Sequence, residues 1–166
     1  MLDFEQSLKD ERIFLTGHTG FTGTWASAWL SEVGIEFTGY SLAPETSPNM
    51  FTETGFADRH IGQIADIMDR DTLQTAIDQF QPTLILHLAA QPLVRKSYAE
   101  PVETFAVNAL GTAHVLDAAR SCKSVRAYSA SQPTKYTEMK SGVGRIGRTM
   151  PSAEKTRIAR QNLLPR

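Results

Sequence analysis

Cysteine is almost absent from this chain. Among 166 residues only Cys122 carries a thiol, which rules out an internal disulfide and points to a reducing, cytoplasmic setting. Cys122 closes a helical pattern, the place of a small buried thiol rather than a reactive one. Long apolar runs are missing too. Hydrophobic residues make up 41% of the sequence, yet no run approaches the ~20 residues of a membrane-spanning helix, so no membrane partner is expected. The opening residues Met1-Leu2-Asp3-Phe4-Glu5 are acidic and lack the basic stretch of a secretory signal. No metal-ligating set is read. Net charge is also near zero, at -1, but it is unevenly spread. Residues 1–126 hold 9 basic and 16 acidic side chains, and residues 127–166 hold 8 basic and 2 acidic ones. A basic tail of that kind can bind nucleic acid; a second explanation, given below, removes that partner.

The most informative feature present is Gly17, Gly20 and Gly23, set directly after the apolar run Ile13-Phe14-Leu15-Thr16. Strand, glycine-rich turn and helix in that order seat a pyrophosphate. The first glycine permits the tight turn, the second brings backbone close to the phosphates, and the third lets the helix pack closely. The helix N-terminus adds free N–H groups and a positive dipole end.

The rest of residues 1–126 alternates strands and helices. Arg12–Thr16 and Glu36–Ser41 read as strands. The helix between them runs from Phe21 to about Val33, with Trp25, Ala28, Trp29 and Val33 at helical spacing and expected to face the core. Leu42–Gly55 reads as a loop. A short strand over Arg59–Ile64 leads to Asp66, and Asp71 is expected to cap a helix carrying Leu73, Ile77 and Phe80. Thr83–Leu88 has the continuous apolar character of a buried parallel strand. Pro101 suits the first turn of a helix reaching about Ser121, and a fifth strand is expected over Val125–Ala130. The pattern predicts an α/β fold: the N-terminal part of a Rossmann-like, doubly wound parallel sheet with right-handed crossovers.

The cofactor is read from the end of the second strand. Tyr40-Ser41 stands where an acidic residue would grip the ribose hydroxyls, and no Arg or Lys follows closely to hold a 2′-phosphate. This leans to NAD. Asp66, after the third strand, is a candidate for the adenine amino group.

Several runs together resemble the CDP-glucose 4,6-dehydratases of the extended short-chain dehydrogenase/reductase group, the NAD-dependent epimerase/dehydratases. They are Gly17-His18-Thr19-Gly20-Phe21-Thr22-Gly23-Thr24-Trp25, Gly39-Tyr40-Ser41-Leu42-Ala43-Pro44, His87-Leu88-Ala89-Ala90-Gln91-Pro92-Leu93-Val94-Arg95, Ser97-Tyr98-Ala99-Glu100-Pro101 and Asn108-Ala109-Leu110-Gly111-Thr112. The resemblance covers residues 8–126, and the run from His87 to Pro101 is its most specific part. It implies that Gly17, Thr19, Gly20, Phe21 and Gly23 contact the pyrophosphate of NAD. It also implies that Asp66 and Ile67 border adenine, that Leu88, Ala89, Ala90 and Gln91 line the ribose and nicotinamide side, and that Asn108 supports the site from its helix. The intact enzyme is expected to be a cytoplasmic homodimer that takes CDP-glucose, a nucleotide sugar of deoxysugar and surface-polysaccharide synthesis. Its reaction is an internal redox cycle. Hydride leaves C4 of the hexose for NAD, the 4-keto group acidifies the C5 proton, water leaves from C6, and hydride returns at C6. That chemistry needs a Tyr-x-x-x-Lys pair, in which the ammonium lowers the phenol pKa, and a Thr with an acid/base pair after the fifth strand.

Neither element stands where the family pattern requires it. Tyr136 is followed by Lys140 in a context without helix signals, and the family pattern stops after Arg126. A shift of reading frame accounts for this. If the third base of each codon is joined to the first two of the next, starting in Ser131, Gln132 yields Thr, Pro133 yields Thr, Thr134 yields Asp and Lys135 yields Lys. Carried on to Arg166 with permitted third bases, the shifted frame supplies both the Thr-Asp-Lys element and a Tyr-x-x-x-Lys. Residues 127–166 are therefore expected to be an out-of-frame, poorly ordered tail, with its basic charge a by-product, and residues 1–126 an NAD-binding region. Two classes of function follow: a nucleotide-sugar dehydratase by ancestry that is catalytically incomplete as written, or an inactive dinucleotide-binding fragment. Another NAD-dependent sugar epimerase or reductase of the same group is a third reading.

Overall fold

A computed structural model of the chain describes residues 6–59 and 61–131. Its elements are β1 (Arg12–Thr16), α1 (Phe21–Glu32), β2 (Glu36–Ser41), α2 (Met50–Glu53), β3 (Gly62–Ile64), α3 (Arg70–Phe80), β4 (Leu84–His87), α4 (Val94–Ala99), α5 (Pro101–Phe105), α6 (Thr112–Ser121) and β5 (Ala127–Ala130). A π-helical segment, Ala106–Gly111, joins α5 to α6, so one continuous helical stretch runs from Pro101 to Ser121.

The five strands form one parallel sheet in the order β3-β2-β1-β4-β5. The chain winds outward from β1 to β3, then returns to the other side of β1 for β4 and β5. That reversal leaves a crevice outside the carboxyl ends of the strands, where doubly wound sheets bind their ligands. Thr16 lies level with Tyr40 and with His87, so the loops after β1, β2 and β4 all leave the sheet along one line.

Side-chain alternation sorts the core onto two faces. Phe14, Tyr40 and Ile85 pack with Leu73 and Ile77 of α3 and Val115, Ala118 and Ala119 of α6. Ile13 and Leu15 pack with Leu30 of α1 and Ile35 on the other face, where Leu84, Leu86 and Leu88 are only partly buried. Cys122 is buried, as expected.

Four local expectations need correction. The tryptophans of α1 do not face the core: Trp25 is 58% and Trp29 38% exposed. The buried stripe is Gly23, Thr24, Ser27 and Leu30. A Cβ on Gly23 would stand 2.0 Å from the Gly17 carbonyl oxygen, so α1 comes too close to the turn for a large side chain on that face. The cap of α3 is Asp69, not Asp71; its carboxylate accepts from the Thr72 amide at 3.1 Å and the Thr72 hydroxyl at 2.6 Å. The third strand starts at Gly62, because Ala57–Arg59 is a 3-10 turn. Within the expected loop 42–55, Asn49 caps the single turn α2 and Phe51 is buried. The strand β5 lies just past the boundary drawn at residue 126. The expected irregular tail and the Tyr136–Lys140 pair lie outside the described residues, apart from residues 127–131.

Candidate functional site

Gly17 follows β1 with φ +76, a left-handed conformation that glycine adopts without a Cβ penalty. A Cβ there would also stand 2.7 Å from the Ala89 amide nitrogen, so the turn is pressed against the loop after β4. Gly20 begins α1 with extended backbone, and neither a side-chain cap nor an acidic residue competes for the first-turn N–H groups. The nearest atom to a Cβ on Gly20 is 3.4 Å away. The three glycines thus take three different parts: a left-handed turn at Gly17, an uncapped helix start at Gly20 and a close helix approach at Gly23.

These elements border a groove of about 470 Å³, within the roughly 300–1,000 Å³ usual for small-molecule sites. Of the residues expected to hold the cofactor, Gly17, Thr19, Gly20 and Phe21 line it from the first turn. Asp66 and Ile67 line it from beyond β3, and Leu88, Ala89, Ala90 and Gln91 from the loop after β4. Gly23 and Asn108 stand behind the wall. Asn108 reaches from the π-helical segment to grip one residue at both backbone groups. Its Oδ1 accepts from the Gln91 amide at 2.8 Å, and its Nδ2 donates to the Gln91 carbonyl at 3.1 Å. The Gln91 side chain donates in turn to the Thr104 hydroxyl at 2.9 Å.

Beneath the groove floor two imidazoles are buried. His18 packs edge-on to Phe51, with ring centroids 5.3 Å apart. Burial pushes its pKa down to about 4, against a smaller upward pull from the Tyr40 carbonyl. Its Nδ1 has no hydrogen-bond partner. His87 sits between Thr16 and Thr112, at 2.6 Å and 3.0 Å, and burial pushes its pKa down to about 4 as well. Tyr40 turns into the core, where it donates to the Asp66 carbonyl at 3.1 Å. Burial first, then the negative charges of Asp69 and Asp66, push its pKa up to about 12.

The sequence profile of the GDP-mannose 4,6 dehydratase family matches residues 14–145. The chain belongs to that family. It is 42% identical over 117 residues to a CDP-glucose 4,6-dehydratase of Salmonella typhimurium, covering 70% of this chain and 33% of that protein. A GDP-mannose 4,6 dehydratase of Drosophila melanogaster is 32% identical over 142 residues, covering 80% of this chain and 36% of its own length. The chain thus spans about a third of the length of these relatives. The fold resembles the UDP-glucose 4-epimerase of Thermotoga maritima, with a TM-score of 0.62 at 22% identity over 72% of this chain and 37% of the other. It also resembles the UDP-glucose 4-epimerase of Thermus thermophilus solved in complex with NAD, with a TM-score of 0.57 at 28% identity over 66% and 34%.

Lys96 and Glu45 line the groove without having been expected there, and of the pair Tyr40-Ser41 one residue faces it. Ser41, not Tyr40, faces the groove from the end of β2, and its hydroxyl lies 2.8 Å from that of Thr19. Lys96 of α4 enters from the far side and donates to Glu45 at 3.2 Å, so a cation reaches the loop after β2 although none follows β2 in sequence. The alternation of β2 could have placed Ser41. Nothing local could have paired Lys96 with Glu45, which are 51 positions apart. Among the described residues, no helix is long and apolar enough to cross a membrane, and no cluster of His, Cys, Asp or Glu could hold a metal ion.

Proposed function

We propose that this chain is the dinucleotide-binding part of a nucleotide-sugar dehydratase acting on CDP-glucose, that its groove takes NAD, and that the chain as written does not turn substrate over. The observation that carries the reading is the convergence on one groove of the Gly17–Gly23 turn, Asp66-Ile67 and Leu88–Gln91. The glycine cradle fits the group: side chains at Gly17 and Gly23 would collide with backbone, and the space beside Gly20 is open. The first-turn amides of α1 would bind the pyrophosphate, Asp66 would accept from adenine, and Leu88–Gln91 would shield the nicotinamide side, with Asn108 holding Gln91. When bound, NAD would supply a reversible hydride acceptor. Ser41 and Thr19 would present hydroxyls, and no carboxylate, to the adenosine ribose.

Catalysis by the family's route needs a tyrosine base with its Lys partner, and no tyrosine is among the described residues lining the groove. The shifted-frame reading supplies both, and two features agree with a sequence change near residue 127. Tyr128 of β5 buries a hydroxyl with no hydrogen-bond partner, a poor choice for a strand interior. Leu84, Leu86 and Leu88 present a partly bare apolar face next to β5, where a further crossover helix would pack. Two measurements test the proposal. Calorimetric titration of the chain with NAD should show binding, and absence of binding would sink the groove assignment. The chain should give no 4-keto-6-deoxy product from CDP-glucose, while a full-length protein with the frame restored should. Turnover by the short chain would overturn the incomplete-site reading. An inactive, folded, restored protein would overturn the substrate.

A further inference from the structure

We propose that His87, fixed as one neutral tautomer between Thr16 and Thr112, is the positioning residue that anchors the groove wall Leu88–Gln91 at both ends; its consequence for ligand affinity rests on the dinucleotide reading above.

Proton counting fixes the arrangement. The Thr112 hydroxyl donates to the Asn108 carbonyl at 2.7 Å. A hydroxyl has one proton, so toward His87 Nε2, at 3.0 Å, Thr112 can only accept. Nε2 therefore carries hydrogen. A neutral imidazole has a single N–H, and no charged neighbour contributes to the lowered pKa of this ring, so Nδ1 is the acceptor. Thr16 Oγ1 donates to it at 2.6 Å and, with its proton committed, accepts from the Ala89 amide at 3.2 Å. The chain of bonds then has one direction, from Ala89 N–H through Thr16, His87 and Thr112 to the carbonyl of Asn108. Both ends act on the same loop, because Asn108 grips the backbone of Gln91. The aromatic neighbour is Tyr128, 6.1 Å away between ring centroids. No other neutral side chain offers an acceptor and a donor on opposite sides of one rigid ring. Asparagine can reproduce only the Thr16 end and glutamine only the Thr112 end.

The test uses the 166-residue chain with 15N-labelled histidine. Long-range proton–nitrogen spectra should show His87 with bare Nδ1 and protonated Nε2, unchanged from pH 8 to pH 5. His87→Leu should speed hydrogen exchange at the Ala89 and Gln91 amides on the order of tenfold, the value of one modest hydrogen bond, and weaken NAD by a similar factor. His87→Asn should restore protection at Ala89 alone and His87→Gln at Gln91 alone. Should the leucine variant not fold, Thr112→Val should release Gln91 and spare Ala89. An Nδ1–H tautomer, titration near pH 6.5, or Asn and Gln variants that match Leu at both amides would overturn the proposal. Lost protection with undiminished NAD affinity would overturn the link to the ligand. If the unaltered chain binds no NAD but shows the expected tautomer and protection, the groove's assignment fails and the anchoring stands.

Discussion

Substituting alanine at Gly23 or at Gly20 separates the folding role of the glycine turn from its ligand role. At Gly23 the new methyl would stand 2.0 Å from the Gly17 oxygen and 2.7 Å from His18 Cα. The first distance is a full ångström inside the 3.0 Å that real Cβ atoms keep, and the obstructing atoms are backbone. The relief is for α1 to retreat from the turn, dragging Thr24, Ser27 and Leu30 from their packing. Overpacking of this kind costs about 3 kcal/mol, the upper end of its usual range. It also moves the first-turn amides out of register with the groove. At Gly20 the same methyl meets nothing closer than 3.4 Å, so the fold loses at most about 1 kcal/mol, from a poorer N-cap. The methyl instead would intrude on the place proposed for the pyrophosphate. Urea unfolding and NAD calorimetry on both variants should give a destabilised, weakly binding Gly23→Ala and a stable, weakly binding Gly20→Ala. A Gly23→Ala protein as stable as its parent would refute the close-approach argument, and a Gly20→Ala protein with parental NAD affinity would refute the pyrophosphate assignment.

Tyr128→Phe should stabilise the chain by about 1 kcal/mol, since it removes a buried hydroxyl that has no partner; a lower urea midpoint would show that the hydroxyl is satisfied. Asp69→Ala should lower the midpoint while Asp71→Ala leaves it nearly unchanged, and the reverse order would contradict the cap. Hydrogen bonds from the Thr72 hydroxyl and amide hold the Asp69 pKa below the usual carboxylate value, so its contribution is present above that value and lost as pH falls through the folded one. For His18 and His87, burial pushes the folded pKa values down to about 4, below the ordinary 6.5 of histidine. Between those limits the unfolded chain binds more protons, so stability is full above pH 6.5 and falls as pH drops toward 4. Denaturation midpoints that stay flat from pH 7 to pH 4.5 would refute the burial of these rings.

The strands and the glycine turn were legible because each rests on short-range chemistry: β-branched and apolar runs, and a turn that needs residues without side chains. The parallel sheet followed from alternation alone, and nearly all the expected groove residues meet because they lie at the carboxyl ends of adjacent strands. The tryptophans of α1 misled because large apolar side chains ordinarily mark the buried face. Here the closeness of α1 to Gly17 selects small residues, and that distance is tertiary information. Asp69 and Asp71 are equivalent by type, and each has an amide three residues on; the helix starts at Arg70, which makes Asp69 the cap and leaves Asp71 inside the first turn. The Lys96–Glu45 pair depends on where two loops end up, which no local pattern encodes.

One residue without a side chain joins four parts of the fold. The Gly17 amide donates to Tyr40 of β2 at 2.9 Å, and its carbonyl accepts from Gly20 at 3.1 Å. Its Cα faces Ala89 and its carbonyl faces Gly23. No single neighbour can yield to make room there, since each is backbone held by β2, by α1 or by the loop after β4. A change at this point would need simultaneous shifts in a strand, a helix and a loop, which single substitutions do not supply one at a time. Mutational drift can therefore rewrite the exposed face of α1, tryptophans included, far more freely than the few atoms around this junction.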